Sequence, residues 1–243
     1  MHTSHAQDVA RPSPWFASAG LGTERIRSAD PVWSSWQWMG ASVGRRVAGV
    51  SLIGEVLRTR RFNVWDDAVA AEIYAPVWRA AYGYLRVQAS PSARVIASTD
   101  AAGELYQGFG SGWEGSAGYR RLRFGPTTTN IVSTSLGRFQ GDWFTRVAAS
   151  TMTGRRNAAS ASLLLRRYWT VPAELAEVGV ATGNEIASVG TGQQIDIRRG
   201  VSAHARVQRY FTPTVGGALV GTYASLRDVP SRIGGQARLL FRW

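Results

Sequence analysis

From Trp33 to Trp243 the apolar residues of this chain recur at every second position, in runs broken by turn residues, and helical stripes are nearly absent. Val201, Ala203, Ala205 and Val207 alternate with Ser202, His204, Arg206 and Gln208. Ala161, Leu163 and Leu165 alternate with Ser160, Ser162, Leu164 and Arg166, and Gly83, Leu85, Val87 and Ala89 with Tyr82, Tyr84, Arg86 and Gln88. One face is aliphatic and small; the other carries arginines, amides, hydroxyls and phenols. A soluble β-sandwich points large aliphatics into a thick core. Alanine and glycine fill such a core poorly but suit a smooth wall against lipid, while the bulky polar face suits a lumen. The pattern predicts an all-β protein, a transmembrane antiparallel up-and-down β-barrel.

The alternation marks about twelve strands, near 33–44, 48–60, 66–75, 79–89, 105–123, 128–139, 142–152, 158–168, 174–182, 195–211, 214–226 and 232–243. An even number closes a barrel with both ends on one side. Residues 1–31 lack periodicity and are expected to form an N-terminal periplasmic extension, partly disordered, with the barrel over 32–243. Ser4-His5-Ala6 has the small-residue context of an export cleavage site, against an ordinary polar tail. If the last strand descends to the periplasm, even strands end there. Phe139, Tyr168-Trp169, Tyr210-Phe211, Phe241 and Trp243 then form one interfacial girdle. Connections on that side, such as 140–141 and 212–213, are short, and 153–158 and 183–194 lie opposite. Segment 90–104 departs from this scheme, being long on the periplasmic side.

No stretch approaches the roughly 18 consecutive apolar residues of a transmembrane helix. There is no cysteine, which removes disulfides, thiolate metal sites, cysteine nucleophiles and a lipoprotein anchor. The charge is +12, from 28 basic residues against 16 acidic, and every basic one is arginine. Nucleic-acid binders cluster such charge in a patch or helix. Here the arginines recur singly or in pairs throughout, which argues against a nucleic-acid partner.

The phase of the alternation turns Arg86, Arg120, Arg146, Arg166, Arg206 and Arg238 inward, with Glu55, Glu72, Glu114 and Glu177. Two readings compete. Arginine–carboxylate pairs can cross-link a lumen through bidentate geometry, or surplus arginines can line a path attracting anions such as an acidic polysaccharide. The slight surplus of arginine favours a mixture. Arg121 and Arg123 point outward near the outer end, where they would meet lipopolysaccharide phosphates or simply be solvated. Only His2, His5 and His204 are present, so no metal or cofactor is expected. Ser202 and His204 share a strand face, a reversed form of the His-x-Ser pair of some outer-membrane lipid hydrolases.

The last ten residues, GGQARLLFRW, resemble the closing strand of bacterial outer-membrane barrels, whose terminal aromatic is read by the assembly machinery; Arg238 stands where a glycine is often found. Gly118-Tyr119-Arg120, then Ser135-Leu136-Gly137-Arg138-Phe139-Gln140-Gly141, then Arg167-Tyr168-Trp169 resemble in order the motifs of the YaiO-type outer-membrane β-barrel family. The resemblance covers roughly 33–243. It implies a monomeric barrel in the bacterial outer membrane, among lipid and lipopolysaccharide, with no established catalytic site; some relatives sit near polysaccharide synthesis or export. The function expected is a narrow anion-preferring channel or the exit barrel of surface-polysaccharide export, not an enzyme. The alternatives are a non-conducting structural or partner-binding barrel, and a membrane-embedded lipid hydrolase.

Overall fold

Each alternating segment pairs with its chain neighbours, and the sheet closes on itself. The computed structural model describes residues 14–27, 33–153, 157–169, 173–188 and 195–243. The strands are β1 (Trp15–Arg27), β2 (Trp33–Val47), β3 (Val50–Arg61), β4 (Val64–Trp78), β5 (Ala81–Ala89), β6 (Thr99–Gly110), β7 (Trp113–Phe124), β8 (Thr127–Gln140), β9 (Trp143–Thr153), β10 (Ala158–Tyr168), β11 (Leu175–Ser188), β12 (Ile195–Tyr210), β13 (Val215–Leu226) and β14 (Val229–Arg242). All neighbours are antiparallel and β1 pairs with β14, Ala17 opposite Phe241 and Ile26 opposite Arg232. Closure leaves no unpaired edge, which a lipid environment requires of a sheet.

The strand count is fourteen rather than about twelve, for two separate reasons. First, the barrel begins at Trp15, inside the segment expected to be an extension. In β1 the inward positions Gly20 and Gly22 blunt the alternation. A Cβ at either would overlap the Arg238 or Trp38 side chain across the neighbouring strands. Second, 105–123 is a hairpin, turned at Ser111 and Gly112, both with positive φ (49° and 78°). A register shift between Gly108 and Gly110 keeps the outward phase in step, with Phe109 before the turn and Trp113 after it. The alternation therefore runs through the turn unbroken. A Cβ at Gly112 would overlap the Phe139 carbonyl, so the turn needs glycine there.

The added first strand reverses the end occupied by each connection before the 111–112 hairpin, and the split of 105–123 restores the expected sides beyond it. The ends of β1 and β14 meet at one rim, which carries two-residue turns at 48–49, 79–80, 111–112 and 141–142. Segment 90–98, between β5 and β6, lies at the opposite rim with 62–63 and 125–126. Short turns mark the periplasmic side and longer loops the outer side. The 90–104 segment is thus an outer connection leading into β6, and it no longer departs from the scheme. Residues 1–13, 154–156 and 189–194 lie outside the described residues.

Candidate functional site

The closed sheet sends one residue of every two into the lumen, and those positions carry the chemistry. Arg86 on β5 bonds Glu72 on β4 and lies 3.0 Å from Glu55 on β3, so one guanidinium ties three strands together. On β7, Arg120 grips Asp100 of β6 with two parallel hydrogen bonds, 2.8 and 2.6 Å. Arg166 on β10 donates to Glu177 of β11 at 2.6 Å and to the Tyr168 hydroxyl at 2.8 Å. Near the outer rim, Arg198 pairs with Asp196 and reaches Asp228.

The remaining inward arginines differ. Arg146 and Arg206 have no carboxylate within ion-pair distance among the described residues, and Arg206 bonds the Gln208 amide while its Nε is buried without a partner. Arg238 stacks on Trp38, 4.9 Å from the ring centroid. Glu177 acts on Arg206 from across the strand, opposed by the like charges of Arg166 and Arg238. Arg46 and Arg242 add to the same rim, where Arg242 lies 3.9 Å over the Tyr210 ring. The arginines without a carboxylate partner therefore gather in the periplasmic half of the lumen. Glu114, expected among the pairing carboxylates, instead accepts a hydrogen bond from the Tyr82 hydroxyl at 3.3 Å.

Opposite these arginines stands a tyrosine ladder. Tyr82 and Tyr106 stack with centroids 4.5 Å apart and planes 5° from parallel, and Tyr74 and Tyr84 lie 4.7 Å apart beside them. Arg146 is an electrostatic neighbour of Tyr82 and Tyr106.

The outer half is closed down by 90–98. The Asp66 carboxylate, fully buried on β4, accepts the backbone N–H groups of Arg94, Val95 and Ile96 at 2.8, 2.7 and 3.0 Å. Three successive amides converging on one anion form a cradle that fixes the loop. The Ser90 hydroxyl also donates to the Asp67 carbonyl at 2.6 Å. Beneath the loop lies a lumen cavity of about 520 Å³ lined by Arg61, Gln88, Asp100, Arg120, Ser150 and Glu185. A larger concavity of about 1290 Å³ is apolar and faces lipid over Leu21, Met39, Val56, Val69, Leu219 and Leu239. The polar lumen, not that groove, has the chemistry of a site.

The family comparison agrees on a membrane-type barrel, for the YaiO membrane β-barrel domain matches residues 24–186. The chain belongs to the YaiO family. It is an integral β-barrel of the bacterial outer membrane. Three solved structures share its fold. The Acinetobacter baumannii outer membrane protein Omp33 is 14% identical (TM-score 0.55), with 95% of this chain and 99% of that chain covered. An outer membrane channel from Pseudomonas putida F1 is 8% identical (TM-score 0.55), with both chains fully covered. A bacterial polysaccharide outer membrane secretin is 8% identical (TM-score 0.54), with 93% and 98% covered. No curated protein matches the chain significantly in sequence.

In this YaiO-family barrel Ser202 and His204 face the lumen but are bound separately. The Ser202 hydroxyl donates to Glu185 at 2.6 Å, and His204 Nε2 lies 3.1 Å from Glu177. The His204 ring occupies the space left by Gly179 on the facing strand, where a Cβ would overlap it. Glu177 is the acid beside the histidine, brought there by β11. At the periplasmic rim Trp169, Phe211 and Trp243 are exposed and Phe241 lies in the outward phase of β14. Phe139 departs from the girdle. Its ring packs 4.3 Å from Phe144 and 6.4 Å from Tyr168, both inward residues, so it belongs to the lumen rim. The girdle also contains Trp15, Trp113 and Trp143, the first residues of β1, β7 and β9, which a search restricted to strand ends passes over. Arg121 and Arg123 face outward, and Arg123 Nε donates to the Gly125 carbonyl at 3.3 Å. His2 and His5 lie outside the described residues.

Proposed function

We propose that the barrel is a narrow, anion-preferring channel for acidic saccharide chains, the diffusion or exit path of a surface polysaccharide, and not an enzyme. The observation that carries this reading is the set of Arg146, Arg206 and Arg238, turned into the lumen with no carboxylate within ion-pair distance among the described residues. Unpaired guanidinium groups between low-dielectric walls raise the local concentration of anions. The tyrosine ladder supplies flat faces on which the C–H faces of sugar rings can stack while the arginines hold their carboxylates. Fourteen strands also favour a path, since the interior widens with strand number from filled eight-stranded barrels to water-filled porins. The resemblance in fold to a polysaccharide secretin agrees with this direction.

A second reading has its own observation. The cross-linking pairs and the loop clasped by Asp66 narrow the lumen, which suits a non-conducting barrel that presents its outer loops to partners. Single-channel conductance in a planar bilayer under a salt gradient separates the two. A stable conductance whose reversal potential favours anions, weakened in Arg146→Glu and Arg206→Glu, is expected. An acidic oligosaccharide should also block it where a neutral one does not. Silence from protein shown to be folded by its heat-shifted gel mobility would overturn the channel and leave the second reading.

A further inference from the structure

At the periplasmic rim the outer wall repeats one arrangement three times. Trp15 stands in register with Arg45 across β1 and β2, Trp113 with Arg138 across β7 and β8, and Trp143 with Arg167 across β9 and β10. In each pair the tryptophan opens an odd strand, the arginine lies near the end of the next, and both face away from the lumen. The guanidinium lies over the indole at 5.0, 5.1 and 5.5 Å from the ring centroid. All three tryptophans are more than a third exposed, and so are the arginines.

None of these three arginines has a carboxylate within ion-pair distance or a side-chain hydrogen bond among the described residues. A fourth pair, at the outer rim, shows the alternative. There Arg60 and Arg58 flank Trp65 at 5.9 and 5.1 Å, but Arg60 bonds the Asn63 side chain at 3.1 Å and Arg58 lies 3.5 Å from Asp67. The outer pair is satisfied internally; the three periplasmic pairs are left with their donors facing the membrane surface.

An indole sits at the level of lipid headgroups. A guanidinium held flat on it presents its edge donors outward, in the geometry that grips a phosphodiester at two points. We propose that the three Trp–Arg pairs are binding positions for the headgroup phosphates of anionic glycerophospholipid in the periplasmic leaflet, a ring of lipid contacts separate from the lumen. The proposal does not depend on the channel reading, since no lumen residue takes part.

The test is to reconstitute the full chain in vesicles of phosphatidylethanolamine with and without phosphatidylglycerol. The folded protein is then released, and the lipid it retains is weighed by native mass spectrometry. The parent should retain phosphatidylglycerol in preference, and glycerol phosphate in solution should neither bind nor displace it. Retention should fall by roughly fivefold for each arginine neutralised in Arg45→Gln, Arg138→Gln and Arg167→Gln. Arg58→Gln should leave it unchanged. The single variants keep the proposal testable if the triple variant fails to fold. Equal retention in parent and variants, absence of preference in the parent, or competition by free glycerol phosphate would each overturn it.

Discussion

The two halves of the lumen use the same residue type in opposite ways. In the outer half the arginines are mostly taken. Arg120 holds Asp100, Arg198 holds Asp196 and Asp228, and Asp66 is spent on the backbone of 90–98. Nearer the periplasm, Arg86 is held by Glu55 and Glu72 and Arg166 by Glu177, but Arg146, Arg206 and Arg238 have no carboxylate within ion-pair distance among the described residues. Arginine content therefore says little about charge available to a ligand; what decides is whether a carboxylate within reach is free or already held by another cation, as Glu177, in register with Arg206, is held by Arg166 and His204. Asp100 lies one strand from Arg120 and two residues along it, whereas Arg206 faces Val220 on its β13 side and shares Glu177 with Arg166 on the other. A paired arginine fixes the wall, and an unpaired one sets the potential along the path.

If this division is right, the largest effect should come from Asp66→Ala. The change removes a buried carboxylate that receives three backbone N–H bonds, and bonds to a charged acceptor contribute about 1.5–3 kcal/mol each, not additively. Release of 90–98 should open the outer mouth, raising conductance severalfold and exposing that loop to limited proteolysis. Unchanged conductance with a cleaved loop would show that the loop does not restrict the path.

Next in size is Arg120→Gln, which strands Asp100 in the wall. Its side chain is only 7% exposed while that of Arg120 is 49% exposed, so solvent screening discounts the loss to about 1–2 kcal/mol. Denaturation in urea from lipid vesicles should show it. Ser202→Ala is smaller again, about 1 kcal/mol, because the part-buried lumen discounts the bond to the Glu185 carboxylate below that of a fully buried charged acceptor. It should also leave hydrolysis of a chromogenic ester at the parent's level. A drop in hydrolysis on that change would bring back the lipid hydrolase and break the division of labour argued above.

Much of this was legible in the sequence, and the failures have physical causes. Alternation alone identifies the wall and the inward phase of Arg86, Arg166 and Arg206, because a strand in a closed sheet has no other way to arrange two faces. It fails at β1, where Gly20 and Gly22 are kept small by the side chains of other strands, information that lies far away in the chain. It fails at Ser111-Gly112, where the register shift preserves the period through a turn. Length would have found that turn, since 105–123 is about twice the strand a bilayer needs. The clasp of Asp66 on Arg94, Val95 and Ile96 left no sequence signal, because its donors are backbone groups that every residue but proline carries.

The smallest expected effect on stability is the sharpest test of the comparison. Arg206→Gln removes a guanidinium whose Nε is buried without a partner among the described residues, and whose attraction to Glu177 is opposed by two like charges, Arg166 and Arg238. No carboxylate is stranded, since Glu177 keeps Arg166 and His204. Stability should therefore change by less than about 0.5 kcal/mol, or rise. The reversal potential should nonetheless move toward zero, whereas Arg120→Gln should lower stability and leave selectivity nearly untouched. The crossed outcome, a stability loss for Arg206→Gln with selectivity carried by Arg120, would mean that proximity of carboxylates does not sort these arginines. The arginines of the periplasmic half would then have to act as a diffuse field rather than through the three unpaired groups.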